Sequence, residues 1–230
     1  MMPIYIGLGV IVVLIFAGFG ISNYMQNKAH NDAYAFDTAT PTPGPARTSK
    51  PVQLSAGENL GKTGFFPKGD FKRNVSTDTA QGGRGQEVDG IPCETNEAVQ
   101  LHIHSQLAIF VHGVLVQVPE AIGIVPIPPN SGCLYWIHTH DASGVIHVEA
   151  GSVGAPNGGP YTLGMFFDIW GETLSRTQVG PYKGPVTAFV NSEPYDGDLR
   201  AIPLRSHQRI VLEVGKPVVP PPVYLVPAGD

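Results

Sequence analysis

The residues of this chain best suited to chemistry are histidines, spaced in pairs that one strand face can gather. Residues 133–149 read CLYWIHTHDASGVIHVE. Side chains alternate along a β-strand, so His138 and His140 point the same way, with Leu134 and Trp136 beside them. Residues 141–144 (DASG) are turn-forming, and a loop of two or four residues gives one pairing register. That register sets His138 opposite His147, Trp136 opposite Glu149 and His140 opposite Val145. Directly opposed Cβ atoms lie roughly 4.5–5.5 Å apart, close enough for two imidazoles to share an ion. The opposite face reads Tyr135, Ile137, Thr139, Ile146 and Val148, which suits a core.

A second pair, His102 and His104, lies in residues 99–111, where period-two alternation is strong. The odd positions from Val99 to Val111 are apolar apart from Ser105, and the even ones begin Gln100, His102, His104, Gln106. His112-Gly113 predicts a tight turn into a strand over 114–118, pairing Val111 with Val114, Ile109 with Val116 and Leu107 with Val118. Nothing local decides whether this strand adjoins the 133–149 hairpin. His102 and His104 therefore read either as further ligands or as histidines of a polar sheet face.

Convergent imidazoles point to one transition-metal ion. His138, His140 and His147 are the leading ligands, His102 and His104 complete or flank the site, and Glu149 either ligates or orients a histidine. Six donors exceed a four-coordinate set. Imidazole ligands suit Zn, Cu, Ni or non-haem Fe, without distinguishing them. A blue-copper site using Cys133 is disfavoured, because no Met follows until Met165. Asp141 reads as a turn residue, and His112, His207 and His30 as bystanders. Three histidines with an open position would also suit a metalloenzyme. However, the glycine-flanked boxes of cupins and the third histidine of α-type carbonic anhydrases are absent. No nucleophile elbow, phosphate loop or dinucleotide fingerprint appears, and Ser131 and Ser143 lack an orienting group.

The elements that must carry these residues are strands. The chain has 28 Gly and 22 Pro, a turn-rich composition. Residues 162–170 (TLGMFFDIW) are the one helix candidate, capped by Thr162, with Leu163, Phe166, Phe167 and Trp170 on one side. Together with Tyr135 and Trp136, these aromatics read as core. Further strands are expected at 186–191 and 208–214 with a turn at 194–197, and residues 217–230 as an extended strap or loose tail. The fold class expected is mainly β: an antiparallel sandwich or partly closed barrel with one short helix.

Residues 3–21 are apolar and uncharged, long enough for a spanning helix. The organisation expected is a membrane anchor over 1–24, a largely irregular Pro/Gly-rich spacer over 25–87 and an exported β domain over 88–230. Cys93 and Cys133 precede the two histidine strands, and in an exported domain they pair as a disulfide. Charged residues are only 14 % and the net charge is −5, which disfavours a nucleic-acid surface. The membrane is thus the one partner expected, through the N-terminal helix; no protein partner is legible.

The motifs VDGIPC, LHIH–LAIFVHG, CLYWIHTHD–GVIHVE, TLGMFFDIWG and DGDLRAIPL–H–IVLEVG resemble a group of uncharacterised bacterial proteins predicted to be exported or membrane-anchored. The resemblance spans about Val88 to Pro227 and implies extracytoplasmic location without implying an activity. In that group the first turn is commonly Asn-Gly, whereas His112-Gly113 stands here, which argues that His112 is a turn residue. Three functions fit this sequence: a metal-binding module, a metalloenzyme with a three-histidine site, or a structural or interaction module without metal.

Overall fold

The computed structural model of the chain describes residues 51–55, 57–61, 82–127 and 131–226. The expected anchor, most of the expected spacer and His30 lie outside the described residues. Among those described, no helix is long and apolar enough to cross a membrane.

Among the described residues the first elements are β1 (Val52–Gln53), β2 (Cys93–Glu94) and the long β3 (Leu101–Val111). His112 and Gly113, at φ 49° and 75°, form the left-handed two-residue turn that suits a twisted hairpin and leads into β4 (Val114–Val116). Next come β5 (Ile124–Ile127), β6 (Ser131–Tyr135), β7 (Ile137–His138) and β8 (Val145–Ala150). Helix α1 (Leu163–Trp170) follows, with Thr162 at its N-cap and Gly171 in the left-handed conformation at its end. Three short strands, β9 (Leu174–Ser175), β10 (Gln178–Val179) and β11 (Tyr182–Lys183), form a small meander. The chain continues through β12 (Val186–Val190), β13 (Glu193–Pro194), β14 (Gln208–Val214) and β15 (Tyr224–Leu225).

The main sheet has the order β13-β12-β14-β3-β8-β7, and β4 pairs with the far half of β3. Its inner face supplies Leu107, Ile109, Ile146, Val148, Ala188, Ile210 and Leu212 to the principal core, where Phe166, Phe167 and Ile169 of α1 are fully buried. Burying one such side chain contributes about 1.5–3 kcal/mol. Every residue of α1 is buried except Asp168, which pairs with Arg200. The expected helix is therefore present, but it is enclosed on more than the one side its spacing implied.

The mainly β expectation holds, with one correction to the architecture. β14 runs parallel to β3, Ser105–Val111 lying beside Gln208–Val214, so the main sheet is mixed. No sheet closes on itself among the described residues, so none forms a closed barrel.

Other differences are local. The segment expected as one strand, 133–140, divides at Trp136: Tyr135 ends β6, which pairs with β2 and β5 in a separate sheet, while β7 joins the main sheet. The bend turns the Trp136 indole away from the ligand face, and its Nε1 donates to Glu94 Oε2 at 2.7 Å. The first hairpin keeps its expected register, Val111 with Val114 and Ile109 with Val116, but stops there. Leu107 cannot pair with Val118, because its amide donates to Gly144 O at 2.8 Å. The turn after β12 falls at Asn191-Ser192, both at positive φ, rather than at 194–197.

Part of the segment read as spacer lies on the domain. β1 pairs in parallel with β15 of the C-terminal strap, and Leu60 N donates to Ala142 O at 3.0 Å. The Cys93–Cys133 disulfide is formed, with Cα atoms 5.2 Å apart.

Candidate metal centre

Three neighbouring strands build the site. β3 pairs antiparallel with β8, setting His102 beside Glu149 and His104 beside His147; β8 pairs with β7, setting His147 beside His138. Directly opposed residues of a sheet share a face. His140 follows β7 and rejoins the group, its Nε2 lying 3.2 Å from that of His138. The six residues predicted from sequence (His102, His104, His138, His140, His147 and Glu149) therefore converge on one surface.

His102 and His104 also meet through their Nε2 atoms, at 3.1 Å. Two ligands bound tetrahedrally at about 2.0–2.1 Å from one ion lie roughly 3.4 Å apart, so both His-x-His pairs are spaced as the edges of a coordination polyhedron. Glu149 sits among them: its Oε1 is 3.2 Å from His102 Nε2 and 3.5 Å from His147 Nδ1, and its Oε2 is 3.8 Å from His138 Nε2. Two four-residue sets bring one ligand atom from each residue within 4.8 Å of all the others. They are His102, His104, His147, Glu149 and His138, His140, His147, Glu149.

Local contacts fix these side chains. Gly123, at φ 77°, presses against the histidine strand so closely that a Cβ there would lie 2.6 Å from Ile137 O and 3.1 Å from His138 Cβ. Ala121 N donates to Thr139 O and Thr139 N to Ile122 O, while the Thr139 hydroxyl donates to Pro119 O. These bonds draw the chain off the sheet after His138, which is why the expected pairing of His140 with Val145 is not made. On its other edge, Val145 pairs with Gln106 of β3. His138 Nδ1 lies 2.9 Å from Tyr135 O. A carbonyl oxygen only accepts, so Nδ1 carries the proton and Nε2 is left with its lone pair directed at the cluster.

The electrostatics suit a cation. Burial, reinforced by His140, pushes His138 down to about 4, and burial with His147 also lowers His140. Burial would raise the Glu149 carboxyl, yet His147, His138 and His102 outweigh it and hold it at about 2. At neutral pH the centre thus holds neutral His138 and a buried carboxylate. His147 Nδ1 and Glu149 Oε2 are buried without a hydrogen bond, a costly state for polar atoms and one that metal coordination relieves. These residues fit a transition-metal ion.

His138, His104 and Glu149 are buried, whereas the side chains of His102 and His140 are 51 % and 42 % exposed. The centre is closed toward the core and open between those two rings. The other expected bystanders stay out of it. Asp141 accepts from Gly57 N at 2.7 Å and Ser143 N at 3.0 Å, as a turn residue. His112 turns toward Lys216 O, and His207 reaches the site only through its backbone, which donates to His104 O. Cys133 is in the disulfide and so unavailable as a copper thiolate. Sequence reasoning missed Glu97, whose Oε1 lies 3.9 Å from His140 Nε2 on the open side. Its signal was weak, a lone acid ahead of β3. The orienting carbonyl of Tyr135 had no signal at all, since it depends on the bend at Trp136.

Comparison of the chain with family models, with curated proteins and with solved structures finds no match.

Proposed function

We propose that this chain is a membrane-anchored, extracytoplasmic metal-binding protein whose β domain holds a transition metal through His138, His140 and His147, with His102, His104 and Glu149. One observation carries the reading: β3, β8, β7 and the segment that follows it gather five imidazoles and one buried carboxylate into one cluster, with both His-x-His pairs at ligand spacing. A purely structural module would scatter these histidines over separate surfaces, each satisfied by hydrogen bonds. The extracytoplasmic assignment rests on the apolar segment at 3–21, on the resemblance to exported proteins and on a disulfide of the kind oxidising compartments sustain.

A metalloenzyme is the second reading, favoured by the exposure of His102 and His140. A bound metal would supply Lewis acidity or redox chemistry there, and the chain's own part would be to orient its ligands through Tyr135 O and to leave one side open.

The test is metal analysis of the full chain in detergent, after chelation and reconstitution with Cu, Zn, Ni or Fe. Stoichiometric metal that falls in His138→Ala/His140→Ala is expected. A protein that remains folded yet takes up none of these ions refutes the reading.

A further inference from the structure

The centre has more donors than a four-coordinate ion uses, and they fall into two overlapping sets. The two sets that satisfy mutual ligand distances share His147 and Glu149 and differ in which His-x-His pair they contain. The pairs come from different strands, His102 and His104 from β3, His138 and His140 from β7 and the residues after it. Within each pair the Nε2 atoms already stand 3.1 and 3.2 Å apart. Glu149 lies between the pairs: Oε1 is 3.2 Å from His102 and 4.0 Å from His140, and Oε2 is 3.8 Å from His138.

We infer that this is a two-ion site, bridged by the Glu149 carboxylate: one ion on His102 and His104, the other on His138 and His140. His147 completes one of the two sets. The inference rests on the metal-binding reading above and deepens it.

Carboxylate-bridged ions in such sites lie about 3.5–4 Å apart, a separation that the two oxygens of one carboxylate span. Charge sets the main constraint, because two divalent ions oppose one buried carboxylate. The open side answers it. His102 and His140 leave room for solvent hydroxide or another exogenous anion, and Glu97 stands on that side near His140. The second ion is accordingly expected to bind more weakly than the first.

The experiment is an ion count on the full chain in detergent, titrated with Zn(II) and, separately, with Cu(II), and read by elemental and native mass spectrometry. Two ions per chain are expected for the parent. One is expected for His102→Ala/His104→Ala and one for His138→Ala/His140→Ala, since each leaves the other set intact. The Cu(II)-loaded parent should lose paramagnetic resonance intensity through spin coupling, and each double variant should recover an isolated copper signal. One ion in the parent, with an uncoupled signal at saturation, overturns the two-ion site while leaving metal binding standing. No ion in a folded parent overturns both. If a double variant fails to fold, by near-ultraviolet circular dichroism, the parent's count and coupling still decide.

Discussion

β3 carries two different environments on one face within eleven residues. Toward its start, His102 and His104 stand among His147, Glu149 and His138, open to solvent on one side. Toward its end, Ala108 and Phe110 lie with Phe189 and Val211 beneath a strap that brings Val218, Val219 and Tyr224 over them. The strap is held in place by Glu213, whose Oε2 accepts from Val219 N at 2.6 Å. The pleat and its period are the same at both ends. What differs is the cover: the apolar half is closed by the protein's own chain, whereas the polar half stays open to solvent at His102.

The largest effect separating the two ends should come from Phe110→Ala. Removing a large aromatic from beneath the strap is expected to cost about 3–5 kcal/mol in urea unfolding, with the metal count unchanged. Loss of metal in that variant would show that the ends are not independent. At the other end, His104→Leu should weaken metal binding by at least tenfold, about 1.4 kcal/mol, measured by competition with a chelating dye. With metal removed, its unfolding free energy should stay within about 1 kcal/mol of the parent. A large loss of metal-free stability would mean that His104 is a packing residue.

The smallest effect is a slope. The unfolded chain binds a proton at His138 near 6.5, which the folded protein refuses until about 4, so metal-free stability falls as pH drops through that window. Glu149 extends the loss from about 4.5 downward toward 2, because its folded form holds the proton less readily than the unfolded one. For one proton the slope is at most about 1.4 kcal/mol per pH unit. Thermal melts in chelator across this range should show it in Phe110→Ala and show it reduced in His138→Gln.

How far the sequence could be read followed the range of the interactions. The opposition of His138 and His147 was legible because alternation and turn chemistry are local, and helix α1 was legible from Thr162 and the aromatic spacing. The disulfide followed from cysteine count and the exported reading. The neighbourhood of β3 and β8 was not legible, since both strands satisfy the same alternation with any partner. That pairing decides whether His102 and His104 belong to the site. The parallel pairing of β14 was hidden for the same reason. So was the division at Trp136, because alternation continues across it while the chain changes sheets.

The disulfide has a further consequence when the chain is treated as a path. Between His104 and His147 the unbridged path is about 40 residues, and through Cys93–Cys133 it shortens to about 25, a saving of roughly 0.5 kcal/mol in closure entropy. The path from β3 to β14 stays close to 90 of about 100 residues, so its closure changes by only about 0.1 kcal/mol. The bridge is a shortcut that serves the metal half of the face and leaves the strap half at nearly its full chain distance.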